Sequence, residues 1–341
     1  MRVLGIETSC DETAVALVEH DGHRARVLES MVSSQVKIHE PYGGVLPELA
    51  TREHLRNLPR LVPQLLEKAR IKLDDIDLIA VTEGPGLTPA LLIGHSYARA
   101  LAIATGKPVS GINHLEGHLF SPFLALDRPP QFPFLGLIAS GGHTLLVEAQ
   151  GWNKYVKLGG TIDDAAGEAF DKVARMVGLP YPGGPQIEKM AREGNPDAHA
   201  FPQSFPEKDN FNFSFSGLKT SVRYFLEKNQ DKLSDPCWRA DVCASFQKAV
   251  IEVLARKTVN AAVHSRCKTI SASGGVLCNQ ALRSALQEAC AKKKIELLLA
   301  DAQLCTDNAA MIAAVAAEKM SAGLPPSTNT DVNPNLSLSA A

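Results

Sequence analysis

Two segments built on the same plan, one at the start of the chain and one near its middle, constrain the fold most strongly. In residues 2–19 an apolar run enters the polar turn 7–13, and a second apolar run leaves it. Residues 134–149 repeat this plan around the turn 140–143. Each pattern predicts a β-hairpin, and a matching hairpin at the head of each half predicts a pair of duplicated domains.

The segment between the two hairpins alternates helical and extended patterns. A helical pattern covers residues 47–70, although Pro59 and Pro63 are expected to break or kink that helix. Extended, helical and extended patterns follow in turn, at residues 77–82, 89–105 and 108–112. This β-α-β alternation predicts a largely parallel sheet covered by helices.

The second half continues in the same way beyond a connector at residues 127–133. We predict helices at residues 164–177, 279–291 and 308–320 and strands at residues 268–272 and 296–299. A Pro/Gly turn is predicted at residues 181–185, and a polar stretch continues from it to about residue 210. Phe211, Phe213 and Phe215 alternate as in a strand and are expected in the core. The tail from Gly323 has no period, and we predict a surface strap or disorder for it.

Composition narrows the class of protein. The chain has 341 residues, of which 45% are apolar and 21% charged; these values are ordinary for globular proteins, and the length favours two domains. The net charge of -2 gives no electrostatic argument for nucleic-acid binding. The 7 cysteines are scattered without a C-x-x-C pair, which argues against a disulfide framework or a zinc ribbon. Because the sequence shows neither a signal peptide nor a membrane span, we expect a cytoplasmic protein.

A pair of histidines is the first candidate metal site. His114 and His118 follow the predicted strand 108–112 directly, at the sheet edge where α/β proteins place ligands. On a helix this spacing turns both imidazoles to one side, where they can bind one metal. The intervening Glu116 stands one position later than the acid of the H-E-x-x-H metalloprotease motif. Two histidines can equally cap a helix or pack at a surface, and the spacing alone does not decide.

Asp307 precedes the alanine-rich segment 308–320, and two interpretations of it are open. Aspartate is a favoured N-cap residue of helices. Alternatively, Asp307 completes a two-His-one-carboxylate ligand set that leaves positions open for substrate. The second interpretation requires residues 118 and 307 to meet in the folded chain.

Two glycine turns and an acidic pair are further candidates. The turns, at residues 140–142 and 273–275, follow apolar strands; glycine lets a backbone approach phosphate closely, although hairpin turns also favour it. Asp11 and Glu12 lie in the first polar turn, where they can hold a metal, steer a proton or simply be solvated. Neither a P-loop nor a dinucleotide-binding fingerprint occurs in the sequence.

Basic residues outnumber acidic ones over residues 52–72. They are Arg52, Arg56, Arg60, Lys68, Arg70 and Lys72. Such a stretch is usually the solvated face of a helix. It can also contact RNA phosphates or a partner protein.

Several short strings in this sequence together resemble the TsaD/Gcp family. They occur in the family's order, cover nearly the whole chain, and lie at residues 5–13, 84–87, 113–118, 140–144, 163–171, 181–185, 213–219, 273–279 and 306–308. Glu83 and Ala139 depart from the family pattern, which has a small residue and a valine there. Neither departure removes a matched ligand.

The resemblance implies an α/β, actin-like (ASKHA) fold of two duplicated ribonuclease-H-like domains with a nucleotide cleft between them. Residues 1–130 plus 305–325 would form the first subdomain and residues 131–304 the second, followed by a tail, 326–341. The implied reaction transfers threonylcarbamoyl from threonylcarbamoyl-AMP to the exocyclic amine of the adenosine at tRNA position 37, in tRNAs that decode codons beginning with adenine. The implied partners are TsaB, facing the basic stretch 52–72, and the ATPase TsaE.

The resemblance also implies site residues. His114, His118 and Asp307 match the metal ligands, with iron(II) expected and zinc or magnesium as alternatives. Substrate contacts match Ile138, Ala139, Ser140, Gly141, Gly142, Asp171, Gly184 and Asn279, and Glu188 falls where some members also contact substrate. Asp11 and Glu12 are the candidates for positioning the adenosine amine or accepting its proton.

Three rival functions make different predictions. A small-molecule kinase on the same fold would phosphorylate with ATP and has no use for the three-ligand metal set. A metalloprotease, an older name for this family, would need its acid earlier than Glu116, and no export signal is visible. A scaffold that only binds proteins would not need His114, His118 and Asp307, so metal content separates it from the enzyme.

Overall fold

The computed structural model describes residues 1–327 and 331–338. The strands in this part of the chain are β1 (Arg2–Glu7), β2 (Glu12–His20), β3 (Ala25–Ser34), β4 (Leu78–Gly84), β5 (Val109–Asn113), β6 (Phe134–Ala139), β7 (Thr144–Gly151), β8 (Lys154–Gly160), β9 (Thr269–Ser273) and β10 (Glu296–Leu299). The helices are α1 (Val36–His39), α2 (Pro47–Ala69), α3 (Thr88–Thr105), α4 (His114–Phe120), α5 (Ala166–Met176), α6 (Gly183–Ala191), α7 (Ser216–Lys228), α8 (Pro236–His264), α9 (Gln280–Lys293), α10 (Ala302–Cys305) and α11 (Ala309–Ser321). Short 3-10 helices lie at Glu40–Tyr42, Leu73–Asp75, Ser121–Ala125, Gln230–Lys232 and Gly275–Cys278.

The chain forms two compact units. Unit 1 comprises Met1–Gln131 and Ala300–Ala341, and unit 2 comprises Phe132–Leu299. The subdomain bounds implied by the family resemblance stay a prediction, because a compact cluster is not by itself a domain that folds alone. Part of the predicted tail, residues 326–341, lies outside the described residues.

Unit 1 is built on a five-stranded sheet in the order β3-β2-β1-β4-β5. β1, β2 and β3 pair antiparallel, whereas β4 and β5 run parallel to β1. Leu4 and Ile6 of β1 pack with Leu58 and Leu65 of α2 in one core. Because side chains alternate along a strand, the intervening Gly5 faces the other side of the sheet, where α11 packs against it.

Unit 2 repeats this plan. Its sheet has the order β10-β9-β6-β7-β8, with β6, β7 and β8 antiparallel and with β9 and β10 parallel to β6. Read from the third antiparallel strand, both sheets therefore have the same order and the same strand directions. The two predicted hairpins and the predicted duplication are confirmed. The sequence patterns did not predict the third strand of each meander, β3 and β8.

Helix α2 differs from its prediction. It runs unbroken from Pro47 to Ala69, with Pro59 and Pro63 inside it. A proline removes one N–H donor from the helix, so the carbonyl four residues earlier loses its partner. Pro59 and Pro63 are both exposed, as is Leu55, so water can satisfy the carbonyls of residues 55 and 59. The predicted break was wrong because the carbonyls that lose their helical partners lie on the solvent side of the helix.

Three predictions in unit 2 also need correction. The predicted turn 181–185 contains the start of α6, at Gly183, and the polar stretch that follows contains the rest of that helix. Phe211, Phe213 and Phe215 are buried in the core as expected. They do not form a strand, however, because this segment makes only an isolated bridge between Phe213 and Thr161.

The last described residues, 331–338, form a segment that we call the C-terminal strap. Asn333 N donates a hydrogen bond to Glu83 O (2.9 Å), and Gly86 N donates one to Pro334 O (3.2 Å). Asn113 Nδ2 donates to Ser337 O (3.0 Å). The strap therefore joins the carboxyl ends of β4 and β5, in agreement with one of the two predictions for the tail.

Among the described residues, no helix combines the length and the apolar character needed to cross a bilayer.

Candidate functional site

Helix α4 brings the two histidines to the carboxyl edge of the unit 1 sheet. β5 ends at Asn113, whose Oδ1 accepts a hydrogen bond from Leu115 N (2.8 Å) and so caps α4. His114 and His118 lie on one side of this helix, with their ring centroids 4.7 Å apart. Their exposed fractions are only 4% and 0%. Both histidines are therefore interior groups, not surface caps.

Asp307 lies against both histidines. Its Oδ1 is 3.1 Å from His118 Nε2 and 3.5 Å from His114 Nε2. The N-cap of α11 is the next residue, Asn308, whose Oδ1 accepts a hydrogen bond from Met311 N (3.0 Å). Asp307 is therefore not the cap of this helix, and its carboxylate faces the histidine pair instead.

The donor set of this cluster fits a divalent transition metal. One ligand atom from each of His114, His118 and Asp307 lies within 4.8 Å of the other two. Two imidazole nitrogens and one carboxylate oxygen form the facial ligand set of many iron(II) sites, which leaves coordination positions open. The distances and the chemistry of the three side chains thus agree with one bound ion.

A buried glutamate holds the far side of the His114 ring. Glu7 ends β1, is fully buried, and has its Oε2 3.0 Å from His114 Nδ1. Burial alone would lower the pKa of His114, but the charges of Asp307 and Glu7 outweigh it and raise that pKa to about 9. Burial would likewise raise the pKa of Glu7, but His114 outweighs it and holds that pKa below its ordinary value.

The acidic pair lies beside this cluster, at the start of β2. Asp11 is buried, with an exposed fraction of 8%. Burial, followed by the charges of Asp307 and Asp11, raises the pKa of the Glu12 carboxyl well above its ordinary value. The pKa of the Cys10 thiol is also raised, by burial first and then by Asp11 and Asp307. A carboxyl group with a raised pKa suits proton transfer near neutral pH.

Glu116, between the two histidines, forms a buried ion pair with α11. Its Oε2 lies 2.6 Å from Lys319 Nζ, and its side chain is only 4% exposed. Residues two apart on a helix point to different sides. Glu116 therefore neutralises Lys319 and does not join the cluster formed by His114, His118 and Asp307.

In unit 2, the first group of predicted substrate residues occupies the end of β6 and the turn after it: Ile138, Ala139, Ser140, Gly141 and Gly142. Ser140 N donates a hydrogen bond to His143 O (2.8 Å), and Gly167 N at the start of α5 donates one to Ser140 O (3.1 Å). A Cβ added at Gly141 or Gly142 would meet no atom within 4 Å. The turn is thus fixed by the backbone, and its two glycines face open space.

The remaining predicted substrate residues lie on or next to three helices of unit 2, namely Asp171 on α5, Gly184 and Glu188 on α6, and Asn279 before α9. Asp171 Oδ1 accepts a hydrogen bond from Gly183 N (2.7 Å), which joins α5 to the start of α6. Glu188 Oε1 accepts one from Gln280 N (2.9 Å), which joins α6 to α9. Gly184 has open space where a Cβ would stand.

Asn279 is held on both ends of its amide group. Its Oδ1 accepts a hydrogen bond from Leu282 N (3.0 Å) and caps α9, while its Nδ2 donates to Gln247 Oε1 (2.6 Å). The exposed fraction of Asn279 is 7%. A ligand can therefore touch only a small part of this side chain, whose main contacts position the start of α9.

Two of the residues that shape these sites were not singled out from the sequence. Gln247 lies on α8, a helix that the sequence patterns did not predict. Glu7 was treated as part of the first polar turn, although an acid that directly follows the apolar run 3–6 could have marked a buried carboxylate. Both residues act by contacting another site residue, which sequence spacing does not reveal.

The matching family model and two relatives of this chain carry the same description. Residues 26–314 match the TsaD family model, described as tRNA N6-adenosine threonylcarbamoyltransferase. A protein of that name from Kosmotoga olearia is 50% identical over 338 residues, which cover 99% of this chain and 99% of that protein. Another of that name, from Methylibium petroleiphilum, is 50% identical over 325 residues, which cover 95% of this chain and 92% of that protein.

Two solved structures are similar in fold. HypF from T. kodakarensis matches with a TM-score of 0.62 at 13% identity, over 95% of this chain and 48% of that one. Full-length HypF in its phosphate- and nucleotide-bound form matches with a TM-score of 0.61 at 13% identity, over 94% of this chain and 46% of that one. At such identity the likeness concerns the fold alone. Together with the matching order of the two sheets, it confirms the predicted α/β, actin-like fold of duplicated domains.

Proposed function

Since the chain belongs to the TsaD family of tRNA N6-adenosine threonylcarbamoyltransferases, we propose that it transfers a threonylcarbamoyl group to N6 of the adenosine beside the anticodon. The proposed donor is threonylcarbamoyl-AMP, and the acceptors are tRNAs that decode codons beginning with adenine. The observation that carries the proposal is the convergence of His114, His118 and Asp307 in a chain that matches its relatives over almost its whole length.

The proposed metal ligands are Nε2 of His114, Nε2 of His118 and a carboxylate oxygen of Asp307. Iron(II) is the proposed ion, with zinc or magnesium as alternatives. When bound, such an ion supplies Lewis acidity toward phosphate or carbonyl oxygens. The protein contributes two buried histidines and a partly exposed aspartate, whose ligand atoms lie within 4.8 Å of one another.

The proposed donor-binding residues are those of unit 2. Gly141, Gly142 and Gly184 leave open space beside backbone N–H groups, which is the environment that glycine turns and helix N-termini offer to phosphate. Asp171 supports this role by holding the start of α6 against α5, and Glu188 supports it by joining α6 to the start of α9. The remaining proposed donor contacts are Ile138, Ala139, Ser140 and Asn279.

The proposed reaction forms one bond and breaks another. The N6 amine of adenosine attacks the carbamoyl carbonyl carbon, a C–N bond forms, and the C–O bond to the phosphate of AMP breaks with its electron pair leaving on AMP. The amine also loses a proton. Asp11 and Glu12 are proposed to position the amine and accept that proton, which is supported by their place beside Asp307.

The proposed protein partners are TsaB and TsaE, in the cytoplasm. Helix α2 carries the exposed basic residues Arg52, Arg56 and Arg60 around the exposed side chain of Leu55. An apolar centre with a charged rim is typical of protein interfaces. This surface is the proposed contact with TsaB.

The rival functions are not favoured. A metalloprotease would need an acid beside the metal-bound water, whereas Glu116 pairs with Lys319. Neither a kinase nor a binding scaffold accounts for the cluster of His114, His118 and Asp307.

The proposal is tested with purified protein, threonylcarbamoyl-AMP, unmodified tRNA, TsaB and TsaE, followed by nucleoside analysis. We expect wild type to form threonylcarbamoyladenosine, and we expect Asp307→Asn to lose both bound metal and transfer. Asp301→Asn is the matched control, because this acid lies nearby in the same unit and is exposed. Full transfer by Asp307→Asn without bound metal would refute the role of the cluster.

A further inference from the structure

Glu7 contacts His114 on the side away from the other ligands. Its Oε2 lies 3.0 Å from Nδ1 of His114, whereas Nε2 of the same ring faces Asp307 Oδ1 at 3.5 Å. One ring nitrogen is therefore directed to Glu7 and the other to the ligand cluster. Because an ionised carboxylate only accepts hydrogen bonds, this network assigns the hydrogen to Nδ1.

Two more hydrogen bonds fix the Glu7 carboxylate. Ser9 N donates to Oε1 (2.5 Å), and Thr82 Oγ1 on the neighbouring strand β4 donates to Oε2 (2.6 Å). With the contact to His114, both carboxylate oxygens are engaged in a fully buried place. The His114 ring can then turn only by giving up the bond from its Nδ1.

The negative charge of Glu7 calls for a separate explanation. A neutral glutamine could satisfy both neighbours without the cost of burying a charge, since its carbonyl oxygen could accept from Ser9 N while its amide N–H donates to the Thr82 hydroxyl. The group that distinguishes a carboxylate from an amide here is the imidazole of His114. The Ser9 hydroxyl also approaches Nδ1, at 3.2 Å, but it can donate as well as accept and cannot fix the hydrogen by itself.

We propose that Glu7 is a positioning residue of the metal centre, which accepts the Nδ1 hydrogen of His114 and so presents the Nε2 lone pair to the cation. This inference rests on the metal site of the proposed function. In known metal sites, such an outer carboxylate fixes the orientation of the ring and raises the basicity of the ligand nitrogen, and its loss typically costs 10–100-fold in metal affinity.

The geometry is tested without any substitution by adding Zn²⁺ to wild-type protein labelled with ¹⁵N at histidine. We expect NMR to show Nδ1 of His114 keeping its hydrogen while Nε2 shifts as Zn²⁺ binds. Coordination through Nδ1 would overturn this inference alone. If Zn²⁺ does not bind at His114, both the inference and the proposed metal site are wrong.

The energetic contribution is tested with Glu7→Gln, which keeps the shape of the side chain. We expect its Zn²⁺ affinity, measured by competition with a chelator, to fall by about 10- to 100-fold. Thr82→Val is the matched control, since it removes a hydrogen bond from the same carboxylate and leaves the contact with His114. We expect this control to bind Zn²⁺ nearly as wild type does.

Two results of this comparison would contradict the role of Glu7. One is a wild-type affinity in a Glu7→Gln protein whose circular dichroism shows it to be folded. The other is an equal loss in Glu7→Gln and Thr82→Val, which would indicate that both residues merely support the local fold.

Discussion

Gly5 shows how one residue without a side chain allows two elements of unit 1 to meet. It lies in β1, and a Cβ added there would stand 2.3 Å from Ala309 O and 2.9 Å from the Cβ of Ala313, both on α11. Asp307 comes directly before this helix. A close approach at Gly5 therefore helps to set where the third proposed ligand lies.

We predict that Gly5→Ala destabilises unit 1 by about 1–3 kcal/mol, as overpacking against backbone does. Hydrogen exchange of the β1 and β2 amides measures this change. Gly44→Ala is the control in the same unit, because a Cβ there meets no atom within 4 Å. Similar protection in Gly5→Ala and wild type would show that α11 can shift at little cost.

His54 is a buried histidine whose hydrogen bonds fit the neutral form of the ring. Its Nε2 lies 2.9 Å from Cys10 O, and its Nδ1 lies 2.8 Å from Thr13 Oγ1. A carbonyl only accepts, so Nε2 carries the hydrogen and Nδ1 accepts from the hydroxyl. Burial lowers the pKa of His54 below 6.5, although the bond to Cys10 O partly opposes this. The ring thereby ties the turn that carries Asp11 to α2.

This lowered pKa predicts a pH dependence. The pKa of His54 in the unfolded chain is near 6.5. As pH falls below this value, His54 becomes protonated in the unfolded chain but stays neutral in the folded one, so the free energy of unfolding of unit 1 decreases. The loss ends once pH passes below the folded-state pKa. Relative to His54→Gln, we expect wild type to lose up to about 1.4 kcal/mol per pH unit in this window. Hydrogen exchange of the β2 amides, corrected for intrinsic exchange rates, measures this loss. Parallel pH profiles of wild type and His54→Gln would contradict the prediction.

At the scale of elements, the ion pair between Glu116 and Lys319 holds α4 against α11. The side chains are 4% and 16% exposed, so both charges lie largely inside the protein. Removing one member of a buried pair is costly because the other charge stays behind. The contact therefore helps to hold the helix that carries both histidines.

We predict that Lys319→Met lowers the stability of unit 1 by about 3 kcal/mol, and that adding Glu116→Gln recovers part of this loss. Urea unfolding followed by circular dichroism measures both effects. Lys68→Met is the control, since Lys68 pairs with Glu29 at the surface and is 61% exposed, and such pairs contribute about 0–1 kcal/mol. Additive effects of Lys319→Met and Glu116→Gln would show that the two charges are not coupled.

The sequence patterns predicted only part of the elements. The hairpin 2–19 followed from two apolar runs around a polar turn, and helix α3 followed from a helical pattern with a proline near its first turn. Helix α8 was missed because it is buried over most of its surface, so its sequence has no apolar stripe of helical period. The start of α6 was taken for a turn because Gly183 and its neighbours favour turns as strongly as helix starts.

At the scale of the whole chain, the spacing of His114 and His118 predicted a shared helix side, but not what would meet them there. Asp307 comes from a segment almost two hundred residues later, as the hydrogen bond to His118 shows with its sequence separation of 189. Only the folding of unit 1 from two distant segments brings these residues together. The family resemblance, not the local pattern, supplied this pairing in advance.

Unit 2 is continuous in the chain and has its own five-stranded sheet. We therefore predict that a fragment of residues 132–299 folds alone, as compact domains with their own core do. Both tryptophans, Trp152 and Trp238, lie within it, so fluorescence during urea unfolding should show one cooperative transition. A gradual change without a transition would show that unit 2 depends on the rest of the chain.

The C-terminal strap has a consequence for how the protein is made. Its residues bond to Glu83, Gly86 and Asn113, all of which leave the ribosome long before the strap does. Asp307 also emerges only after the whole of unit 2. A nascent chain thus contains both histidines well before Asp307, the third proposed ligand, has been synthesised. Binding of the proposed ion is therefore expected to come only after unit 2 has been synthesised.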